Sequence, residues 1–406
     1  MRVVILGASH AGVAAAGQLR DSGFDGDVTL VNSGSALPYQ RPPLSKAYLA
    51  GDMAAEQLLL KGEKFYLDNA IDLRNEEWAS EIDLHDRQIQ LRGSTLPFDK
   101  LILATGSSNR RLPAALGSFQ NLADLRDLAD ADRLKAAVAE ADRIVVIGGG
   151  FIGLEIAATA AKADKQVTVI EMQGRLLPRV LTDVMSETIL QRHRSAGVDI
   201  RLNTALTGFD AVGERIAAVE IEPGGKIGAD LVITGIGAHA NMELAANAGL
   251  ATSNGIDVDS YCRTSSPDVF AIGDCAFAPS HYMPGSVRLE SVQNALDQGR
   301  AVAMTIAGAP TAYTDVPWFW SDQFDLKLQM AGLHGDSDQT VLRGDPESGR
   351  YSLGFLRDGR LTAMHSVNQP ADHVAARHLV GRKIPVQAEQ IADTDIKLKQ
   401  LLKSTD

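Results

Sequence analysis

The strongest constraint on this chain is a repeated turn. Residues 1–12 read MRVVILGASHAG, and residues 143–155 read RIVVIGGGFIGLE. Each is a short apolar run, a glycine-rich turn and the start of a helix-like stretch. VTLVN (28–32) and QVTVIE (166–171) then supply a second apolar run. That order is the text of a βαβ unit, in which two parallel strands are joined by a crossover helix. A chain of 406 residues exceeds one ordinary core. Two such units predict two nucleotide-binding halves.

The second copy is intact. Gly148 permits the tight turn, Gly150 lets backbone approach a pyrophosphate, and Gly153 allows close helix–strand packing. The phosphates would lie at the helix N-terminus, where free N–H groups and the dipole favour anions. Glu171 stands 23 residues after Gly148. It would accept from a ribose 2′-hydroxyl and repel a 2′-phosphate, so NADH is expected over NADPH. Arg175 nearby softens that preference. The first copy, GASHAG, keeps Gly7 and Gly12 but carries Ser9 in the middle. Its second strand ends in Asn32 and Ser33, which can hydrogen-bond a ribose without a carboxylate.

The rest of the chain extends the duplication. LILATGSS (101–108) and LVITGIGA (231–238) are strands with glycine exits, and VFAIGDCA (269–276) is a late strand with an acid at its tip. The return of strand-and-glycine text after 238 predicts that the second half is inserted into the first. The expected boundaries are 1–108 with 239–316, then 109–238, then 317–406. After Pro317, alternating text such as KLQMAG and YSLGFL predicts a small mixed or antiparallel α+β domain. RPPLSK (41–46) is a stiff loop, with Ser45 expected to cap the following helix.

Composition narrows the function. The formal net charge is −12, which argues against general nucleic-acid binding. No apolar run approaches the roughly 20 residues of a bilayer span, and the first strand begins at residue 2, so a cytoplasmic protein without a signal peptide is expected. The two cysteines, Cys262 and Cys275, form no CxxC pair. They predict neither a disulfide framework nor an iron–sulfur cluster, and no ligand spacing suggests a metal.

Two charges sit where neither is comfortable. Glu155 lies in an almost wholly apolar helix, where it could compensate the dipole or must be paired, because an unpaired buried carboxylate is expensive. Lys46 falls at a predicted helix start, where a cation opposes the dipole. Either each is exposed, or the two form an ion pair at a cofactor site.

Taken together, these pieces resemble the FAD-dependent NADH:ferredoxin reductases of bacterial cytochrome P450 and aromatic-ring dioxygenase systems. The resemblance covers nearly the whole chain. It rests most on LPYQRPPLSKAYLAG (37–51), LILATGSSNR (101–110), GGGFIGLE (148–155), VFAIGDCA (269–276), RLESVQNALDQGRAVA (288–303) and PWFWSDQ (317–323). It implies an α/β, glutathione-reductase-like fold: two Rossmann-type dinucleotide-binding domains plus a C-terminal α+β domain. It places FAD phosphates on Gly7, Ala11 and Gly12, and the adenosine ribose at Asn32 and Ser33. It puts adenine at the backbone of Ala79, and the ribityl chain on Asp274. Lys46 would approach the flavin with Glu155 as its partner, Val292 would meet the pyrimidine edge, and Trp320 would lie beside the ring. Arg41, Thr105, Gly106 and Arg126 complete the FAD set. Ile152, Gly235 and Gly237 join Gly148, Gly150, Gly153 and Glu171 in the NAD set. Ser9 and Ser33 depart from the family pattern, and both bear on FAD affinity.

Related flavoproteins pass electrons to a cysteine pair, and RPPLSK carries no thiol. A dithiol relay needs two thiols in reach. The expected reaction is therefore hydride transfer from NADH to FAD, with Lys46, Glu155 and Trp320 at the reacting centre. Electrons would then leave singly to an external [2Fe-2S] ferredoxin. Basic docking candidates are Arg300, Lys327, Lys397, Lys399 and the run 373–383. A monomer or weak homodimer is expected. The rivals are a rubredoxin reductase or NADH oxidase of the same fold, and a flavin-binding redox sensor.

Overall fold

The computed structural model describes residues 1–336 and 338–403. Two five-stranded parallel sheets carry most of it. In the first, the strand order is Val269–Ala271, Lys100–Leu103, Arg2–Leu6, Asp27–Val31, Ile71–Arg74. In the second it is Leu122–Ala123, Leu231–Thr234, Arg143–Ile147, Gln166–Ile170, Asp199–Arg201. The two orders correspond strand for strand. Each glycine turn leaves the central strand, which has a neighbour on both sides. Crossovers run to opposite sides from that point, and a crevice opens beyond the strand ends.

The duplication goes further than the glycine turns reveal. Each half also carries a three-stranded antiparallel meander, Ala79–Asp83, Gln88–Leu91 and Ser94–Pro97 in one, Ala205–Val212, Arg215–Glu222 and Gly225–Gly228 in the other. Its strands alternate buried and exposed residues, as one-faced antiparallel strands do. Between the halves, Ser107–Asn109 pairs antiparallel with Ala238–Ala240. The chain crosses from one half to the other along this two-stranded link.

After Pro317 the chain folds as a five-stranded antiparallel sheet, ordered Trp318–Gln323, Leu326–Gly332, Arg360–Val367, Arg350–Arg357, Gln339–Asp345. The helix Pro370–Gly381 packs on it. One apolar core joins Leu328, Tyr351 and Phe355 of this sheet to Leu154, Met185 and Ile189 of the second half. That shared core holds the first strand of the sheet, Trp318–Gln323, against the helix Phe151–Lys162. On the other side the helix Val292–Ile306 lies along His10–Asp21. A methyl on Gly299 would come 2.6 Å from the Ala11 carbonyl. Backbone-to-backbone contact over glycine and alanine brings Val292 to the mouth of the first glycine turn. Among the described residues no helix is long and apolar enough to cross a membrane, and no cluster of side chains could hold a metal ion.

Candidate active site

Both glycine turns open into one cavity of about 2680 Å³. A pocket for a single small ligand spans roughly 300–1,000 Å³, so this space suits two dinucleotides. In each turn the leading glycine is obligatory. Gly7 has φ +113°, and a Cβ there would stand 2.1 Å from the Ala104 carbonyl; Gly148 has φ +104°, with 2.4 Å to the Gly235 carbonyl. Ala104 and Gly235 follow equivalent strands of the two sheets. The third glycines, Gly12 and Gly153, lie behind the cavity wall, where a Cβ would strike the Gly7 or Gly148 carbonyl at 2.0 or 2.6 Å. A side chain at Gly12, as at Gly153, is thus excluded by packing, while its N–H lies in the first turn of the helix His10–Asp21, where the first N–H groups have no acceptor within the helix.

The middle position explains why Ser9 is tolerated. Ser9 sits at φ −114°, ψ −159° and Gly150 at φ −80°, ψ 170°, extended backbone open to any residue. A Cβ on Gly150 would meet nothing nearer than 3.6 Å. The serine side chain strains nothing in the protein and lines the cavity. Ala11 and His10 line it beside Ser9, and burial, then the Arg41 charge, lowers the His10 pKa to about 4.

The second-strand ends differ as their sequences do. Glu171 Oε2 accepts from Gly149 N at 2.7 Å and Oε1 from Gln173 N at 2.8 Å, so the carboxylate is fixed at the rim of the intact turn. Arg175 is engaged elsewhere: its guanidinium donates to Leu181 O, Ser186 Oγ and Pro178 O, and its Nε pairs with the exposed Asp183 at 3.1 Å. In the first half Asn32 lines the cavity, but its amide already donates to Gly34 O, Ala36 O and Asn75 Oδ1. It organises the loop that carries Ser33, which also lines the cavity. Ala79 does too, next to the exposed Trp78 and to Glu77, whose Oε2 is buried without a partner. Sequence reasoning did not single out Glu77 or Trp78. Nothing in EEW marks them before the meander is known.

Between the turns the cavity floor is charged. Arg41 donates to the Arg126 carbonyl at 2.5 Å. Burial, then the charge of Arg126, lowers its pKa. Among the described residues no carboxylate lies within ion-pair distance of Arg41, while Arg126 reaches Asp274 at 3.4 Å and Ser107 Oγ at 2.9 Å. Ser107 Oγ in turn donates to Asp274 Oδ2 at 2.9 Å. Asp274 and Asp127 both act on Arg41, and two guanidiniums beside a glycine turn suit a diphosphate. The residues therefore fit FAD. Thr105 and Gly106 line the same floor, with the Thr105 hydroxyl spent on Asn241 O at 2.7 Å.

At the centre the two uncomfortable charges meet. Lys46 Nζ donates to Glu155 Oε2 at 2.6 Å, across 109 residues. Ser45 Oγ donates to the same oxygen at 2.5 Å and Ser321 Oγ to Oε1 at 2.6 Å. Glu155 is 3% exposed and Lys46 21% exposed. Ser45 thus caps no helix; its hydroxyl is part of the site. Glu155 stands one turn into its helix, past the first-turn positions that a dipole role requires. Trp318 and Trp320, 5.5 Å apart, wall the cavity from the C-terminal sheet, and Val292 lines it from the opposite side. Ile152, Gly235 and Gly237 line the intact turn. Both cysteines are buried away from the cavity, and burial pushes their thiols up.

Residues 1–299 match the family described as pyridine nucleotide-disulphide oxidoreductase, and residues 318–402 match the one described as reductase C-terminal. Rhodocoxin reductase of Rhodococcus erythropolis is 44% identical over 400 residues, covering 98% of this chain and 94% of that protein. The covalent putidaredoxin reductase–putidaredoxin complex aligns with a TM-score of 0.96 at 39% identity, over 99% and 98% of the two chains. The ferredoxin reductase for the CYP199A2 system from Rhodopseudomonas palustris aligns at 0.95 and 40%, over 98% and 99%. With a thiol-free cavity built from two glycine turns and closed by a C-terminal sheet, the chain belongs to the pyridine nucleotide-disulphide oxidoreductase family, and within it to the ferredoxin-reductase group that carries the reductase C-terminal domain.

Proposed function

We propose that this chain is an NADH:ferredoxin reductase. It uses FAD to pass electrons from NADH to a [2Fe-2S] ferredoxin that feeds a cytochrome P450 or a ring-hydroxylating oxygenase. The observation that carries this reading is the single cavity with two dinucleotide turns and a buried Lys46–Glu155 pair between them, with no cysteine in its wall. FAD, when bound, accepts a hydride and returns electrons one at a time. Gly7, Ser9, Ala11, Arg41 and Arg126 would hold its diphosphate, and Asp274, Ala79 and Val292 its flanks. Gly148, Gly150 and Glu171 would hold NADH. Lys46 offers a cation at the reacting centre, Glu155 fixes it, and Trp320 would lie beside the flavin ring. The units are 1–108 with 239–316 for FAD, 109–238 for NAD, and 317–406 C-terminal.

For docking, Arg300 and Arg377 both act on the exposed Asp315, Arg300 also pairs with Asp297 at 3.0 Å, and Arg377 lies 4.8 Å over the Trp318 ring. Lys327 and Lys399 are exposed. Against a net charge of −12, local basic side chains of this kind steer an acidic partner, and the attraction is screened by salt. Anaerobic NADH oxidation should be fast only when a [2Fe-2S] ferredoxin is added, and several-fold slower at ~0.5 M salt than at ~0.05 M. Fast oxidation with oxygen alone would move the chain to the oxidases. Fast turnover with rubredoxin but not ferredoxin would change the acceptor, and indifference to salt would remove the docking patch.

The Glu171 geometry gives a second test. NADH should exceed NADPH in kcat/KM by about 100-fold or more, since a 2′-phosphate meets a fixed carboxylate. Because Arg175 is engaged by its own loop and by Asp183, Arg175→Ala should leave that ratio unchanged while lowering Tm. A ratio that moves would place Arg175 at the ribose after all.

A further inference from the structure

PWFWSDQ supplies more than an aromatic wall. Its Ser321 and Gln323 are fully buried, and neither enters the function proposed above. Gln323 Nε2 lies 3.2 Å from Ser321 Oγ, and Gln323 Oε1 lies 2.9 Å from His193 Nε2, which is also fully buried. Together with the Ser321–Glu155 contact at 2.6 Å, these make one continuous chain from helix Asp183–Ser195 through the C-terminal sheet to the ion pair.

The direction of the chain follows from its end. A carboxylate can only accept, so the Ser321 hydroxyl proton points at Glu155. The serine oxygen is then free to accept from the Gln323 amide. The amide oxygen in turn takes the Nε2–H of a neutral His193. Burial keeps that ring neutral, its pKa lowered to about 4. Every donor points toward Glu155, and hydrogen bonds aligned in a low-dielectric interior polarise one another. The two carboxylate oxygens are held from different domains. Oε2 takes Ser45 and Lys46 of the first half, and Oε1 takes Ser321 of the C-terminal sheet.

We propose that Ser321, oriented by Gln323 and His193, is a positioning residue of the reaction. It fixes the Glu155 carboxylate, and through it the Lys46 ammonium, so that the C-terminal domain completes the flavin site from within as well as walling it. The inference rests on the reading of this cavity as a flavin site, but not on the identity of the electron acceptor.

The test is a mutant cycle on the holoprotein. Ser321→Ala and Ser321→Thr are made in the natural sequence and in Glu155→Gln. The readouts are the midpoint potential of the bound flavin and the anaerobic rate of its reduction at saturating and limiting NADH. Ser321→Ala should slow reduction about tenfold, the worth of one charge-assisted hydrogen bond, with KM unchanged and the potential shifted. Ser321→Thr keeps the hydroxyl and should stay within about twofold. In the Glu155→Gln background the alanine change should add less than about twofold, because interacting sites are non-additive. Gln323→Met, which keeps volume and removes the amide, should give a smaller effect of the same sign that also disappears there. A Ser321→Ala effect of equal size in both backgrounds would mean that the hydroxyl acts through packing, and the proposal fails. It fails equally if Ser321→Ala behaves as the natural protein. Neither readout involves ferredoxin, so an inactive ferredoxin assay would sink the acceptor assignment and leave this result standing.

Discussion

Replacing Glu155 with alanine is expected to slow flavin reduction by NADH about 100-fold and to destabilise the protein by about 3 kcal/mol. Both effects have one origin. Glu155 collects a lysine and two serine hydroxyls on one buried carboxylate. Its removal strands the Lys46 ammonium and leaves the Ser45 and Ser321 hydroxyls without their acceptor. Breaking a buried pair by deleting one partner costs about 3–5 kcal/mol. Lys46 keeps 21% of its side-chain surface, so water partly compensates and the lower end applies. The rate falls further than one contact suggests, because the ammonium loses its fixed place at the wall. Stopped-flow reduction and urea unfolding of the same preparation measure the two quantities. Glu155→Gln separates them: it retains volume and one acceptor, so it should recover much of the stability and little of the rate. A variant that reduces at the natural rate would remove the pair from the reacting centre.

Much of the frame was legible because glycine requirements are local. A positive φ and a carbonyl 2.1 or 2.4 Å from a virtual Cβ leave a mark in the text that needs no partner to interpret. The meanders left a weaker one. Their strands are short, and alternation over four or eight residues in segments such as QIQL and RIAAVEIE does not reveal that the same unit occurs twice. The Lys46–Glu155 contact could be raised as a question by two misplaced charges. It could not be derived, since 109 residues separate them and only the packing of three elements decides who meets whom.

The misreadings share a cause. Ser45 looked like a cap because it precedes a helix, and Arg175 looked like a ribose neighbour because it follows Glu171. In each case chain proximity stood in for direction. The Ser45 hydroxyl points across to another domain, and the Arg175 fork closes on its own loop carbonyls.

The protein is expected to lose most of its stability between about pH 6.5 and pH 5 through four buried histidines. Burial lowers His10, His193 and His373 to about 4 and His365 to about 3. All four are at most 9% exposed. Arg41 and Arg377 add their charges against protonation of His10 and His373, and His334 does so for His365. The sign follows from proton counting. Between about pH 4 and 6.5 the unfolded chain binds protons at these positions and the folded chain does not, so stability rises with pH and is complete above about 6.5. As pH falls through the unfolded value it is lost, at up to about 5 kcal/mol per pH unit for four such groups. Against a total stability of about 5–15 kcal/mol, two units of that slope, about 10 kcal/mol, remove most of it. The carboxylates held down by arginine, Asp99 by Arg2 and Asp230 by Arg143, both at about 2, titrate too low to contribute in this window. Asp315, raised by desolvation and Asp297, acts in the opposite direction and trims the loss. Urea midpoints at pH 7.5, 6.5, 5.5 and 5.0 give the slope. His365→Phe, placed among Phe355 and the His334 ring, should remove about one proton from it. A midpoint that stays level from 7.5 to 5.5 would show that these rings titrate in the folded protein as they do in the unfolded one, and that their burial is not what limits the fold in acid.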